Sequence, residues 1–155
     1  EFFLPFYQKP LNQLRLLHYP IQPDDADEGV IGAQAHTDAA AFTILLQDQN
    51  GGLEVETPAG EWVRAIPLEG SFVVNIGDFF RNWTNGRFLS VKHRVVNNSR
   101  TDRYSVPYFL DPDLSAVVAP LDAFVSEANP PRFEPLHVGD YLCKRFDSIW
   151  PRKDL

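Results

Sequence analysis

The chain has 155 residues, with 14 Lys and Arg against 21 Asp and Glu, for a net charge of −7. That length suits one domain. With 44% hydrophobic and 23% charged residues it is not a disordered chain, and an acidic balance without a Lys/Arg cluster argues against nucleic acid or an anionic membrane as partner.

The chain contains no Met, so residue 1 is not a translation start and the sequence reads as trimmed. Its 13 Pro and 9 Gly break it into short elements, which argues against a helical bundle. The apolar stretches, such as Phe42-Thr43-Ile44-Leu45-Leu46, are far shorter than the roughly 20 residues of a membrane span. The lone Cys143 cannot form an internal disulfide and fits a reducing, cytoplasmic compartment.

Residues 1–13 are aromatic and punctuated by Pro, and read as a connector. Short runs of β-formers follow at 14–19, 30–35, 42–47, 53–57, 61–66, 71–76, 88–97, 104–110, 115–118 and 136–138. An acidic, Pro-containing loop from Pro20 to Gly29 separates the first two. Asn50-Gly51-Gly52, Pro58-Ala59-Gly60 and Asn85-Gly86 read as hairpin turns, where Gly supplies positive φ. The one helix the pattern supports is short, at 122–128. Strands at this spacing predict an all-β sandwich or barrel. The core is placed at 14–143, with 144–155 as a C-terminal tail.

Three segments carry chemistry. His36-Thr37-Asp38 puts an imidazole and a carboxylate at i and i+2, on one face if the segment is extended. In Val91-Lys92-His93-Arg94-Val95, His93 shares a face with two valines and points inward. Brought together, two imidazole nitrogens and one carboxylate oxygen form the facial triad of non-haem Fe(II) oxygenases, which leaves coordination positions open for co-substrate and O₂. Taken singly, His-x-Asp is a common chance pair, and an inward His is more often a hydrogen-bonded core residue. Arg103-Tyr104-Ser105 again aligns two polar side chains on one strand face. A buried guanidinium needs an anion, either an internal acid or the carboxylate of a ligand that its fork matches.

In this order, His36-Thr37-Asp38, His93 and Arg103-x-Ser105 resemble the isopenicillin N synthase-like branch of the 2-oxoglutarate/Fe(II)-dependent dioxygenases. Gly51-Gly52-Leu53-Glu54-Val55, Asn75-Ile76-Gly77-Asp78 and the stretch from Trp83 to Val95 are similar to that family as well. So is Leu14-Arg15-Leu16-Leu17-His18-Tyr19-Pro20, although Leu17 stands where many plant members carry Asn.

The resemblance implies a double-stranded β-helix (jelly-roll, cupin-like) core with few short helices. It implies Fe(II) on His36, Asp38 and His93, and 2-oxoglutarate on Arg103 and Ser105 with help from Tyr19. The implied activity couples oxidative decarboxylation of 2-oxoglutarate by O₂ to hydroxylation, desaturation or ring closure of a small-molecule substrate, with ascorbate as an accessory reductant. A 2-oxoglutarate-independent Fe(II) oxidase of the same fold, and a catalytically incomplete jelly-roll fragment, remain alternatives, because the sequence lacks the N-terminal half of a typical member. Phe42, Ile44, Phe79, Phe80 and Phe109 are pocket candidates that read by default as core. Gln34 is a candidate for the pocket rim, Asp78 for a turn, and His18 and His137 for non-ligand roles.

Overall fold

The computed structural model describes residues 1–21, 31–97 and 101–149. The expected 20–29 loop, position 30, and the end of the tail at 150–155 lie mostly or wholly outside the described residues. In chain order the strands are β1 (Gln13–Leu14), β2 (Leu17–Tyr19), β3 (Ile31–His36), β4 (Phe42–Gln47), β5 (Leu53–Glu56), β6 (Trp62–Arg64) and β7 (Val73–Ile76). Helix α1 (Asp78–Trp83) follows, then β8 (His93–Val96), β9 (Arg103–Leu110), β10 (Val117–Val118), β11 (Leu136–His137) and helix α2 (Val138–Ile149).

Two antiparallel sheets form the body. One has the order β1-β9-β4-β7, with β2 also paired to β9, and the other has β3-β8-β5-β6. Alternation along the strands turns one face of each sheet inward. Leu45 of β4, Leu53 of β5 and Val95 of β8 form a buried cluster between them, joined by Tyr19, Ala33 and Val73. This is the expected jelly-roll. A second cluster lies at one end, where Ala41, Phe79, Trp83, Val118, Val138 and Leu142 pack with Phe3 and Phe6 of the N-terminal segment.

Several local expectations are corrected. The run at 88–97 is a strand only over His93–Val96. The segment at 122–128 holds just a single 3-10 turn, Asp122–Phe124. The two α-helices lie where the pattern predicts none. In α1, six residues are too few to show a period. In α2, Val138, Leu142, Phe146 and Ile149 recur at helical spacing, and the boundary placed at 143/144 falls inside this helix.

The turn signals hold for backbone conformation and less well for topology. Pro58-Ala59-Gly60 does close the β5–β6 hairpin. Gly51-Gly52 instead carries the chain from one sheet to the other, because β4 pairs with β7 and β9 while β5 pairs with β6 and β8. Asn85-Gly86 ends α1: Asn85 has φ 50, its N–H donates to the Asn82 carbonyl, and the Gly86 N–H donates to the Arg81 carbonyl. That is a Schellman cap with Asn in the left-handed position.

Gly77 lets α1 begin hard against the chain that carries Asp38. A Cβ there would overlap the Ala40 carbonyl oxygen outright, so no other residue fits this approach.

Candidate metal and oxoacid site

His36 is the last residue of β3, Asp38 lies just beyond it, and His93 opens β8, where it pairs with His36 across the ladder. The pairing brings the two rings to 4.4 Å. Asp38 Oδ1 is 3.8 Å from His36 Nε2 and 3.5 Å from His93 Nε2. The three candidate ligand atoms all lie within 4.8 Å of one another, close enough to share one cation. His93 and Asp38 are buried, while the His36 side chain is 41% exposed.

Each group is oriented by a second contact. His36 Nδ1 lies 2.7 Å from the Gln34 carbonyl, and His93 Nδ1 lies 3.4 Å from the Val91 carbonyl. A carbonyl only accepts, so both Nδ1 atoms carry the proton and both Nε2 lone pairs face the common point. Thr43 donates its hydroxyl to Asp38 Oδ2 at 2.6 Å. Burial, opposed by Asp38 and reinforced by His36 and Arg145, lowers the pKa of His93, which favours the neutral imidazole that a metal requires.

The second half of the site is on β9. Arg103 and Ser105 both face inward, and Arg103 is 1% exposed. Arg103 Nε donates to the Gly51 carbonyl, Nη1 donates to Ser105 Oγ at 3.2 Å, and the guanidinium lies 4.8 Å from the ring centroid of Tyr19. Burial lowers the pKa of Arg103, and Tyr19 and Asp48 oppose this. Its Nη2 is buried with no hydrogen-bond partner among the described residues. No carboxylate among the described residues bonds Arg103, and Asp48 acts on it only through its charge.

One cavity of about 700 Å³ joins the two halves, lined by His36, Asp38 and His93 and by Tyr19, Arg103 and Ser105. All six residues singled out from the sequence thus meet in one place. The Arg103 guanidinium beside the Ser105 hydroxyl has the chemistry that suits a carboxylate, and two imidazole nitrogens with one carboxylate oxygen make a donor set suited to a divalent cation. The residues present fit both Fe(II) and an oxoacid.

Of the other candidates, Phe109 and His18 also line this cavity and the rest do not. Phe109 lines the cavity, with Arg15 above its ring at 5.0 Å, while Phe79 is wholly buried and Phe42 and Phe80 pack against the helical cluster. Ile44 is half-buried on β4, on the face opposite Thr43 and Leu45. His18 stacks on Tyr104 at 4.8 Å and pairs with Asp102 at 3.5 Å. His137 is exposed on β11. Gln34 lines a neighbouring groove together with Lys92 and Arg145.

Residues not singled out include Thr43 and Asn75, which face each other across β4 and β7 and both line the cavity. A Thr in the apolar run at 42–47 was the available signal for the first, and an Asn before Ile76-Gly77 for the second. Arg145 was missed because its helix was missed.

Comparison with known proteins points the same way. The model of the 2OG-Fe(II) oxygenase superfamily matches residues 10–112. A 2-oxoglutarate-Fe(II) type oxidoreductase of Aspergillus fumigatus is 39% identical over 144 residues, 92% of this chain and 43% of that protein. The 2-oxoglutarate-dependent dioxygenase citB of Monascus ruber is 47% identical over 116 residues, 73% of this chain and 35% of that protein. The crystal structure of a full-length Neurospora crassa protein in complex with alpha-KG superposes with a TM-score of 0.89 at 33% identity, covering 96% of this chain and 48% of that one. The chain thus spans less than half the length of these relatives. With the match running from the strand before Tyr19 through Arg103 and Ser105 on β9, the chain belongs to the 2OG-Fe(II) oxygenase superfamily.

Proposed function

We propose that this chain carries the catalytic core of a non-haem Fe(II) oxygenase that couples oxidative decarboxylation of 2-oxoglutarate to oxidation of a small-molecule substrate. The observation that carries the reading is that Arg103, whose Nη2 has no hydrogen-bond partner among the described residues, lines the same cavity as His36, Asp38 and His93.

His36 Nε2, Asp38 Oδ1 and His93 Nε2 would hold the iron, with Gln34, Val91 and Thr43 fixing their orientation. Arg103 and Ser105 would take the distal carboxylate of 2-oxoglutarate. Tyr19 closes that pocket from the side, and Gly32 makes room for its ring, since a Cβ there would come within 2.7 Å of Tyr19 Cδ1. When bound, ferrous iron supplies the redox chemistry that activates O₂ at the expense of 2-oxoglutarate, released as succinate and CO₂. The chain's own residues supply geometry, a fixed charge for the co-substrate, and apolar walls such as Leu45, Leu53 and Val95.

A small organic molecule is the substrate class that suits a cavity of this size. Relatives of this fold have been crystallised with thymine and with JA. Within the chain the functional unit runs from about Leu14 to the end of α2, since Arg145 reaches the metal-bearing turn. A lone, exposed Cys143 suits a cytoplasmic setting, and no helix among the described residues is long and apolar enough to cross a membrane.

The test is anaerobic addition of Fe(II) and then 2-oxoglutarate to the full-length protein. A visible metal-to-ligand absorption band and, with air and substrate, stoichiometric succinate are expected. Absence of both sinks the proposal, and a band that forms while O₂ uptake proceeds without 2-oxoglutarate would favour the oxidase alternative.

A further inference from the structure

Both α-helices converge on one residue. Thr37 stands between the two candidate ligands His36 and Asp38, and its polar groups are held from the helical side. Its carbonyl accepts a hydrogen bond from Arg145 Nη2 of α2. Its hydroxyl donates to Asp78 Oδ2 of α1 at 3.2 Å. The same carboxylate oxygen accepts the Tyr141 hydroxyl of α2 at 2.7 Å, and Asp78 Oδ1 pairs with Arg81 at 2.9 Å. The Asp78 backbone N–H donates to the Asp38 carbonyl at 2.8 Å.

These contacts sit where the sheet gives no support. β3 ends at His36 and β4 begins at Phe42, and Ala41 already bonds to Leu110 of β9, so residues 37–40 lie outside any ladder. The direction in which Asp38 projects is set by the torsions on either side of the Thr37–Asp38 peptide. Arg145 holds the carbonyl of that peptide, and Asp78 holds the side chain on one flank and the carbonyl on the other. Asp78 is itself 2% exposed, accepts from Thr37 and Tyr141 through Oδ2 and has its charge balanced by the Arg81 ion pair. Burial and the Asp78 carboxylate push the Tyr141 hydroxyl up to about 12, so it stays a donor at any working pH.

We propose that Asp78, Tyr141 and Arg145 are positioning residues for the metal. They pin the Thr37–Asp38 peptide against α1 and α2 and so set the affinity and coordination geometry of the His36, Asp38 and His93 site. This rests on the reading of those three residues as ligands. It gives the C-terminal helix a part in the active centre, although none of its residues is a ligand. The competing view is that the same contacts merely dock the helices. That view predicts a loss of stability with an unchanged metal site.

The experiment is anaerobic titration of the full-length protein with Co(II), whose d–d absorption reports both affinity and ligand geometry, alongside thermal unfolding of the metal-free state. Thr37→Val removes one hydroxyl at nearly constant shape, and Thr37→Ser restores it. Tyr141→Phe and Arg145→Met remove the two contacts from α2. Thr37→Val, Tyr141→Phe and Arg145→Met should each weaken Co(II) by about tenfold or more and alter the band, with Thr37→Ser close to the parent. A parent that gives no Co(II) spectrum overturns the ligand reading and this inference with it. A parent that binds, with variants matching its affinity to within about twofold and keeping its spectrum, overturns the positioning role alone, whatever their melting temperatures.

Discussion

Thr43 and Asp38 are joined by a buried 2.6 Å hydrogen bond that commits Oδ2 of the carboxylate. Oδ1 is left as the oxygen on the side of the two imidazoles. A ligand with one oxygen tied and one free offers a single, directed donor. Thr43 is 3% exposed, so no water replaces it at low cost. Thr43→Val should therefore weaken divalent-metal binding by about tenfold, and Thr43→Ser should largely retain it. Isothermal titration with Mn(II) checks this, and equal affinity in the Val variant would show that the bond is dispensable.

What the sequence disclosed and what it withheld divide along a physical line. Period-2 alternation put Arg103 and Ser105 on one face, and His93 beside Val95, because that periodicity is a property of any strand. Ladder partners are not such a property. Nothing in the run at 42–47 says that Thr43 will face a carboxylate from the preceding turn. Gly51-Gly52 announced positive φ, which the structure has at 72 and 85, but local conformation does not name the sheet that the next strand joins. α2 begins directly after a two-residue strand and a Pro-rich stretch. Its apolar spacing was present, yet the punctuation before it masked the change of period.

Asp111 gives a pH signature in stability, its pKa raised mainly by burial and further by Asp38. It is 2% exposed, accepts a bond from Gln13 Nε2 at 3.3 Å, and burial raises its pKa from 3.8 to about 6. The folded state therefore binds this proton more tightly than the unfolded state. Its stabilising contribution is full below pH 3.8 and is lost as pH rises through about 6. Above that the ionised carboxyl costs on the order of 3 kcal/mol. Asp111→Asn should flatten the stability profile between pH 4 and 6 and leave the protein at least as stable as the parent above it. Urea midpoints across that range check this, and parallel profiles for the two proteins would refute it.

Gly52 is constrained twice, by φ 85 and by the Val96 carbonyl oxygen, which would lie 2.6 Å from an added Cβ. The Gly52 carbonyl also accepts from the Val96 N–H at 2.8 Å, so the two backbones cannot simply move apart. Gly52→Ala should destabilise the fold by about 2 kcal/mol or more. Because Arg103 Cδ would lie 3.5 Å from the added methyl, the variant should also bind 2-oxoglutarate more weakly. Denaturant unfolding and co-substrate titration read the two effects separately, and a variant of parental stability would contradict the first.

Arg103 distinguishes the fork of a guanidinium from its charge. Nε is spent on the Gly51 carbonyl and Nη1 on Ser105, while Nη2 has no partner among the described residues. Lys in its place keeps a cation but offers one point donor on a flexible stem, and it leaves the Gly51 carbonyl without its bond. A carboxylate held by Nη2 and Ser105 would lose its fixed geometry while still meeting positive charge. Arg103→Lys should therefore raise KM for 2-oxoglutarate by about tenfold or more, with a smaller fall in kcat and unchanged Mn(II) affinity, because no metal ligand is touched. Arg103→Met, which removes the charge too, should lose co-substrate binding altogether. Succinate-release kinetics across a range of 2-oxoglutarate concentrations separate the two parameters. An unchanged KM in the Lys variant would mean that the co-substrate carboxylate is bound elsewhere in the cavity.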